Sequence, residues 1–353
     1  MIPRIEWNVI SRSELADHAH LSEAVYGPCA VSNIEHLAWK FLSNPEGPAL
    51  AATLRDTGGL IGRLVAMPRR FVQRDAEVRA AYLVDLVIHP RARGVASLAA
   101  LVGALDRLQG FDCLLVTPNE IGAAVWRDLA KLPIRGSLEA FAFPLRPMSL
   151  LSRRVGSRFL GRLIAVDRAW SSAATTLSRT GETELEWKQE LPNAEDLQSL
   201  VAEEENSWRG ERSRGFLAWR FLDSPVFRYE LSFLWKAGKL VGWVATRGAE
   251  FENYRCFFIV DCISSRRMNG RERLSLRRAM LGRAAEQEFD LVLNLVSSSE
   301  VMPPDSCTGL PFLRIRQKWL PHGTPIFLRW SSAEQKLAKL PVPRMSLADL
   351  DIF

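Results

Sequence analysis

A chain of 353 residues with 47% apolar and 24% charged residues has the make-up of a globular protein with a sizeable core, and its length suits two domains of about 150 residues each. Its 46 basic and 40 acidic residues leave a formal charge of +6, yet seven arginines and one acid, Asp167, fall between Arg146 and Arg179, so the remainder is neutral overall. A basic face spread along the whole chain, as binding to a phosphate backbone requires, is therefore excluded, and no nucleic-acid partner is expected.

The opening stretch MIPRIEWNVISRSE has no apolar core, so no secretory leader is expected, and no run approaches the roughly 18 apolar residues of a spanning helix. The five cysteines, at 29, 113, 256, 262 and 307, lack CxxC spacing and read as reduced thiols in a cytoplasmic setting. His18 and His20 have no cysteine or carboxylate cluster beside them, so no metal site is expected.

In chain order, Ile5, Trp7 and Val9 alternate as a first strand, and Ser13 to Glu23 reads as a helix opening at a polar cap. Ala49–Leu54 and Leu60–Met67 flank the turn Asp56-Thr57-Gly58-Gly59, which predicts a hairpin. A dense apolar strand follows at Ala80–Ile88 and a loop at Pro90–Gly94. Then come a helix at Val95–Leu108, a strand at Cys113–Val116, a helix at Glu120–Ala130 and a closing strand at Leu138–Leu145.

The same order returns further on. LAWKFLSNP at Leu37–Pro45 reappears as LAWRFLDSP at Leu217–Pro225, and Ile5-Glu6-Trp7 as Leu185-Glu186-Trp187, both shifted by 180. Gly62 maps to Gly242 (180), Val84-Asp85 to Val260-Asp261 (176) and Phe111-Asp112 to Phe289-Asp290 (178). Matches in order at a nearly constant offset predict a tandem duplication of a whole domain, too long a period for a solenoid. The fold class expected is mixed α/β (α+β): two units, each a mostly antiparallel mixed sheet flanked by helices. The expected borders are an N-terminal domain at 1–148, a linker helix at 149–180, a C-terminal domain at 181–335 and a tail at 336–353.

The chemistry is expected in LVDLVIHPRARGVASLAALVGAL, residues 83 to 105, where a buried strand ends at His89-Pro90 and Arg91 to Ala96 open a helix. Free amides at a helix start favour a phosphate, Gly94 and Ala96 leave room for it, and Arg91 and Arg93 add charge. The order of hairpin, long strand, R-x-x-G-x-[GA] loop, helix, strand, Asn and helix resembles the GNAT acyltransferase superfamily. The stretches W-K-F-L-x-N-P, H-P-R-x-R-G, T-P-N-E and P-L-R-P resemble one bacterial branch associated with surface-polysaccharide biosynthesis. The resemblance covers Trp7 to Pro147 and, by repetition, the second copy.

That resemblance implies an acyltransferase moving an acyl group from acetyl-CoA or another acyl-CoA to a small amine acceptor such as an amino sugar, without a metal. It assigns the acyl-CoA to Val87, Ile88, Arg91, Arg93, Gly94, Val95, Ala96, Ser97 and Asn119. The pantetheine arm would lie where the strands at Leu83–Ile88 and Cys113–Val116 part. Asp85 stands where such enzymes often carry a general base, although Asp261 fills the same slot in the second copy, so a structural acceptor is the equal alternative. His89 is a second candidate base by residue type. The tyrosine that many members carry seven residues after the Asn is Trp126 here, whose indole N–H cannot transfer a proton at neutral pH. The Gly-aromatic pair that follows it is Ala130-Lys131.

In the second copy the loop reads Arg267-Met268-Asn269-Gly270-Arg271-Glu272, and Ser297 replaces Asn119. A carboxylate at that helix start repels a pyrophosphate, so copy one is expected to bind acyl-CoA and copy two to act as a structural partner. Between the copies, Leu151, Val155, Phe159, Leu163, Val166 and Trp170 form an apolar stripe with arginines around it. It reads as a linker helix packed on both domains, with contact to an anionic membrane surface through 151–170 as the alternative. Two other functions stay open: a non-enzymatic binding or assembly protein, motivated by Trp126 and Glu272, and a Fem-type aminoacyl transferase, which the surviving phosphate loop disfavours.

Overall fold

The structure is a computed structural model that describes residues 5–73, 76–155, 164–176, 185–203, 208–251, 253–297, 313–314, 325–331 and 343–350. A short strand β1 (Trp7–Val9) pairs antiparallel with β2 (Leu50–Asp56), and helices α1 (Leu15–Tyr26) and α2 (Ile34–Leu42) fill the connection. The β2–β3 hairpin turns where expected. Asp56 accepts the Gly58 amide at 2.7 Å, and Gly59 takes a φ of 111° that disfavours any side chain. Strand β3 (Gly59–Gln73) pairs with β4 (Ala76–Ile88), and helix α3 (Val95–Gly103) crosses over to the parallel strand β5 (Cys113–Val116).

Alternation decides which way each strand faces. Val65 and Met67 of β3 and Ala80, Tyr82 and Val84 of β4 enter a core with α1 and α2. Their neighbours Leu64, Ala66, Ala81 and Leu83 enter a second core with α3. Two helices differ from expectation. α3 stops at Gly103 and tightens into a 3₁₀ turn over Ala104–Arg107, and α4 (Glu120–Ala124) widens into a π turn over Val125–Leu129.

The C-terminal part repeats this order. Strand β6 (Ile134–Pro144) leads through α5 (Pro147–Val155) and α6 (Ile164–Thr176) to β7 (Leu185–Lys188). There follow α7 (Ala194–Ala202), β8 (Arg209–Gly210), α8 (Arg214–Leu217), β9 (Glu230–Lys236), β10 (Lys239–Phe251), β11 (Tyr254–Ser264), α9 (Gly270–Glu286) and β12 (Leu291–Ser297), then β13 (Leu313–Arg314) and β14 (Pro325–Trp330). Among the described residues the main sheet path runs β1-β2-β3-β4-β5-β14-β6-β12-β11-β10-β9-β7. Two pairs, β4/β5 and β11/β12, are parallel and the rest antiparallel.

The middle of that path interleaves the two parts. β6 follows β5 in the chain but runs along β12, from Leu138 opposite Ser297 to Pro144 opposite Leu291. β14 lies beside β5, with Phe327 opposite Val116. Residues 343–350, expected in a tail, are packed inside: Met345, Leu347, Ala348 and Leu350 belong to the core shared by both parts.

The repeated tryptophans meet at the seam. The Trp39 indole donates to the Trp219 carbonyl at 2.7 Å, the Trp219 indole donates to the Trp39 carbonyl at 3.0 Å, and the rings stack at 5.1 Å. Aromatic stacking and two satisfied buried donors make this contact stabilising in both directions.

The stripe expected over 151–170 is divided between α5 and α6, and the positions at 156–163 lie outside the described residues. Asp167, the single acid of the basic segment, is buried over the start of α5 and accepts the amides of Met148 (2.7 Å) and Ser149 (2.9 Å), where the helix dipole favours a carboxylate. Trp170 stacks on Phe143 and donates to the Pro144 carbonyl at 2.9 Å. Leu151 and Val166 remain 43% and 45% exposed. No helix among the described residues is long and apolar enough to cross a membrane.

If the seam makes one cooperative body, Trp39→Ala should cost about 3–5 kcal/mol in chemical denaturation and move a single unfolding transition. Two transitions, with only the N-terminal one displaced, would show that the halves unfold independently.

Candidate functional site

β4 and β5 pair only at Ala80–Tyr82 against Cys113–Leu115 and then diverge. The cause is a bulge. Arg63 faces Val87 and Val65 faces Val84, so Asp85 and Leu86 stand opposite Leu64 alone, and Asp85 takes a φ of 49°. An extra residue bends a strand and breaks its ladder. The result is a groove of ≈ 800 Å³ with unpaired β4 backbone on one wall and the start of α4 on the other.

Buried charge holds the bulge. Lys40 Nζ donates to both Asp85 oxygens at 3.1 Å, and Arg63 Nη2 donates to Oδ2 at 3.2 Å. The side chains of Lys40, Arg63 and Asp85 are 1%, 0% and 11% exposed. Arg63 also donates to the His18 carbonyl (2.6 Å) and to Ser22 Oγ (2.8 Å), which anchors α1 over the bulge. Burial alone would raise the Asp85 pKa, but Lys40 and Arg63 together outweigh it and hold the carboxyl below its ordinary value. A carboxylate clamped by two cations is a weak base. The geometry favours the structural alternative for Asp85.

At the groove's outer end, α3 begins at Gly94 with no side-chain cap and no acid in its first turn. A Cβ on Gly94 would meet no protein atom within 4 Å, so its surroundings are open. Val95, Ala96 and Ser97 follow in that first turn, with Val95 exposed. Arg93 lines the groove, as do Val87, Ile88 and Asn119. Asn119 also caps α4, its Oδ1 accepting the Gly122 amide at 2.8 Å.

Gly94, Val95, Ala96 and Ser97 are not among the residues lining the groove, and two further expected residues turn elsewhere. Arg91 turns back to the hairpin and pairs with Asp56 at 2.9 Å, so its charge is spent away from the groove. His89 accepts the Arg91 amide on Nδ1 at 3.2 Å and caps the turn Pro90–Ala92. Neither lines the groove. Trp126 is buried in the α3–α4 core, with its ring against the groove wall. Sequence reading missed Lys40, Arg63, Tyr26 at the groove mouth, and Tyr82, whose hydroxyl bonds Thr117 Oγ1 at 2.6 Å. The signal for Lys40 and Arg63 was a single cation inside each of two apolar runs, since a buried charge demands a partner.

The equivalent place in the C-terminal part is filled by its own chain. The Asn269 side chain caps α9, and Glu272 returns the bond to the Asn269 amide at 2.9 Å while pairing with Lys236 at 2.7 Å. Ser346 bridges β12 and β11, pairing with Val296 and donating to Asp261 at 2.9 Å. Arg212 clamps Asp261 (2.7 Å) and Asp349 (2.8 Å), and Arg220, which stands where Lys40 does, donates to the carbonyls of Leu347, Ala348 and Leu350. Asp349 is driven below its ordinary pKa because Arg212 outweighs the opposing effect of burial.

Asp85→Asn would leave Lys40 and Arg63 buried without their counter-ion, a loss of about 3–5 kcal/mol. Because the folded Asp85 pKa is depressed, its contribution is complete above the unfolded value near 4 and disappears as pH falls through the folded value. Urea titrations should therefore show a deficit at pH 7 that shrinks below about pH 4. Unchanged stability with lost activity would instead mark Asp85 as a base.

No family model matches the sequence, and no curated protein does. Solved structures do. A GCN5-related N-acetyltransferase from Anabaena variabilis superposes with a TM-score of 0.61 at 12% identity, over 93% of this chain and 73% of that one. A probable N-acyltransferase from Enterococcus faecalis gives 0.59 at 9% identity, over 94% and 73%. N-myristoyltransferase of Saccharomyces cerevisiae, solved with bound myristoyl-CoA, gives 0.56 at 12% identity, over 94% and 81%. At such identities the likeness concerns the fold, and the chain has the mixed α/β fold of the GCN5-related N-acetyltransferases.

Proposed function

We propose that this protein is an acyltransferase that moves a short acyl group from acyl-CoA to the amine of a small acceptor. The observation that carries the reading is the contrast between two helix starts in one chain: α3 starts without a side-chain cap between Arg93 and Leu98 of the groove lining, whereas α9 is capped by Asn269 and Glu272. Acyl-CoA would supply the activated thioester. The amides at Val95, Ala96 and Ser97, with Arg93, would hold its pyrophosphate, and Gly94 would let it approach. The β4 backbone around Val87 and Ile88, beyond the end of the β5 pairing, would bond the pantetheine arm as an added strand on that side.

The remaining residues shape the reaction space. Tyr26 and Tyr82 are the phenols lining the groove among the described residues. Desolvation, and then the Asp85 charge, raises Tyr26 above the ordinary phenol value, so its proton is held more tightly than in a free phenol. With Asp85 clamped, the acceptor amine would lose its proton to water in the groove. We also propose that the halves descend from one duplicated unit, that the C-terminal one is a structural partner, and that an amino sugar is the acceptor, in a cytoplasmic setting. The buried Trp126, with no acidic proton to give, is the observation that favours the second reading, a binding protein without catalysis.

Calorimetry with acetyl-CoA should give micromolar binding to the wild type, none to Gly94→Glu, and unchanged binding to Glu272→Ala. Arg93→Ala should weaken it about tenfold or more through loss of a charge-assisted bond. No binding to the wild type would sink the acyl-CoA reading. The exposed Leu151 and Val166 on the basic segment fit contact with an anionic membrane. Co-sedimentation with anionic but not neutral liposomes would support that alternative to the packed linker helix, and equal pelleting with both would remove it.

A further inference from the structure

The groove ends inward at a lock between its two strands. Tyr82 and Leu115 form the last β4/β5 pair, and immediately beyond it the Tyr82 hydroxyl bonds Thr117 Oγ1 at 2.6 Å. The phenol ring is buried in the core, so the wall it forms is fixed by packing as well as by the hydrogen bond. Behind this wall lies a second space of only ≈ 20 Å³, room for about one water molecule. Tyr82 lines both spaces. The apolar sides of the inner one are Trp39, Met67, Trp219 and Phe227, from both halves of the chain. The cations at its edge turn polar atoms elsewhere: Lys40 to Asp85, Arg69 to the Ala348 carbonyl, Arg220 to the Tyr229 hydroxyl.

We infer that Tyr82, held by Thr117, sets the length of the acyl group, admitting acetyl-sized chains and excluding longer ones from the apolar space at the seam. This rests on the acyl-CoA reading above. An acyl chain running inward from the parted strands reaches the Tyr82–Thr117 bond first. Each further methylene then has no apolar cover to enter, although covering one would tighten binding roughly fourfold. Removing the ring would join the groove to a space where two tryptophans, a phenylalanine, a methionine and Leu350 offer cover to hydrocarbon beside His36 and the three cations.

The test is calorimetry of coenzyme A, acetyl-CoA and octanoyl-CoA with wild type, Tyr82→Ala and Thr117→Val. The wild type should bind acetyl-CoA at least as tightly as octanoyl-CoA. Tyr82→Ala should shift the octanoyl-to-acetyl affinity ratio at least tenfold toward octanoyl. Thr117→Val, which keeps the packing volume but frees the phenol, should shift it in the same direction by about threefold, and it serves if the alanine variant does not fold. A wild type that prefers octanoyl-CoA tenfold, or variants with an unchanged ratio while coenzyme A still binds, would overturn the role of Tyr82. Failure of the wild type to bind coenzyme A itself would overturn the acyl-CoA reading, and this inference with it.

Discussion

Two indoles, each donating to the other's backbone carbonyl, fix the geometry on which this structure depends. Trp39 and Trp219 stand 180 residues apart and exchange bonds of 2.7 and 3.0 Å in a core shared by both halves. Such reciprocity requires the two short helices that carry them to approach face to face. Lys40 and Arg220, the next residues along, are then delivered to corresponding places on opposite sides of the seam. The interleaving of β6 and β14 adds a second constraint, since β14 pairs with β5 and β6 with β12. Neither half completes its sheet alone.

From that shared frame the halves diverge by electrostatics. Lys40 and Arg63 close on Asp85 and support a bulge that parts β4 from β5. In the corresponding place Arg212 closes on Asp261 and Asp349 and draws residues 343–350 between β11 and β12. The same aspartate thus supports an opening in one half and a plug in the other. At the helix starts the divergence is a single carboxylate: Glu272 neutralises the amides of α9, while among the described residues no side chain caps those of α3.

Much of the fold was legible because it is local. The short apolar run Cys113–Val116 marked that strand at its true limits, and Asp56 to Gly59 predicted the hairpin, because apolar runs and turn chemistry act over a few residues. The lower half of the candidate site was legible for the same reason, as a strand end followed by a glycine and a helix. What was not legible depends on distant partners. Arg91 was read as a phosphate ligand, but Asp56 captures it across 35 residues. The clamp on Asp85 joins residues 45 and 22 positions away, which spacing does not reveal. The apolar pattern of Leu138–Leu145 marks a strand but not its neighbour, so the pairing of β6 with β12 could not be foreseen.

The central claim is that one helix start in this chain is free for a diphosphate and the other is not. Hydrogen exchange at the backbone amides, with and without coenzyme A, reads both starts in one experiment. Slowed exchange at Val95–Ser97, with no change at Gly270–Arg273, is the result this account predicts. Protection at Gly270–Arg273, or at neither place with coenzyme A in saturating excess, would contradict it.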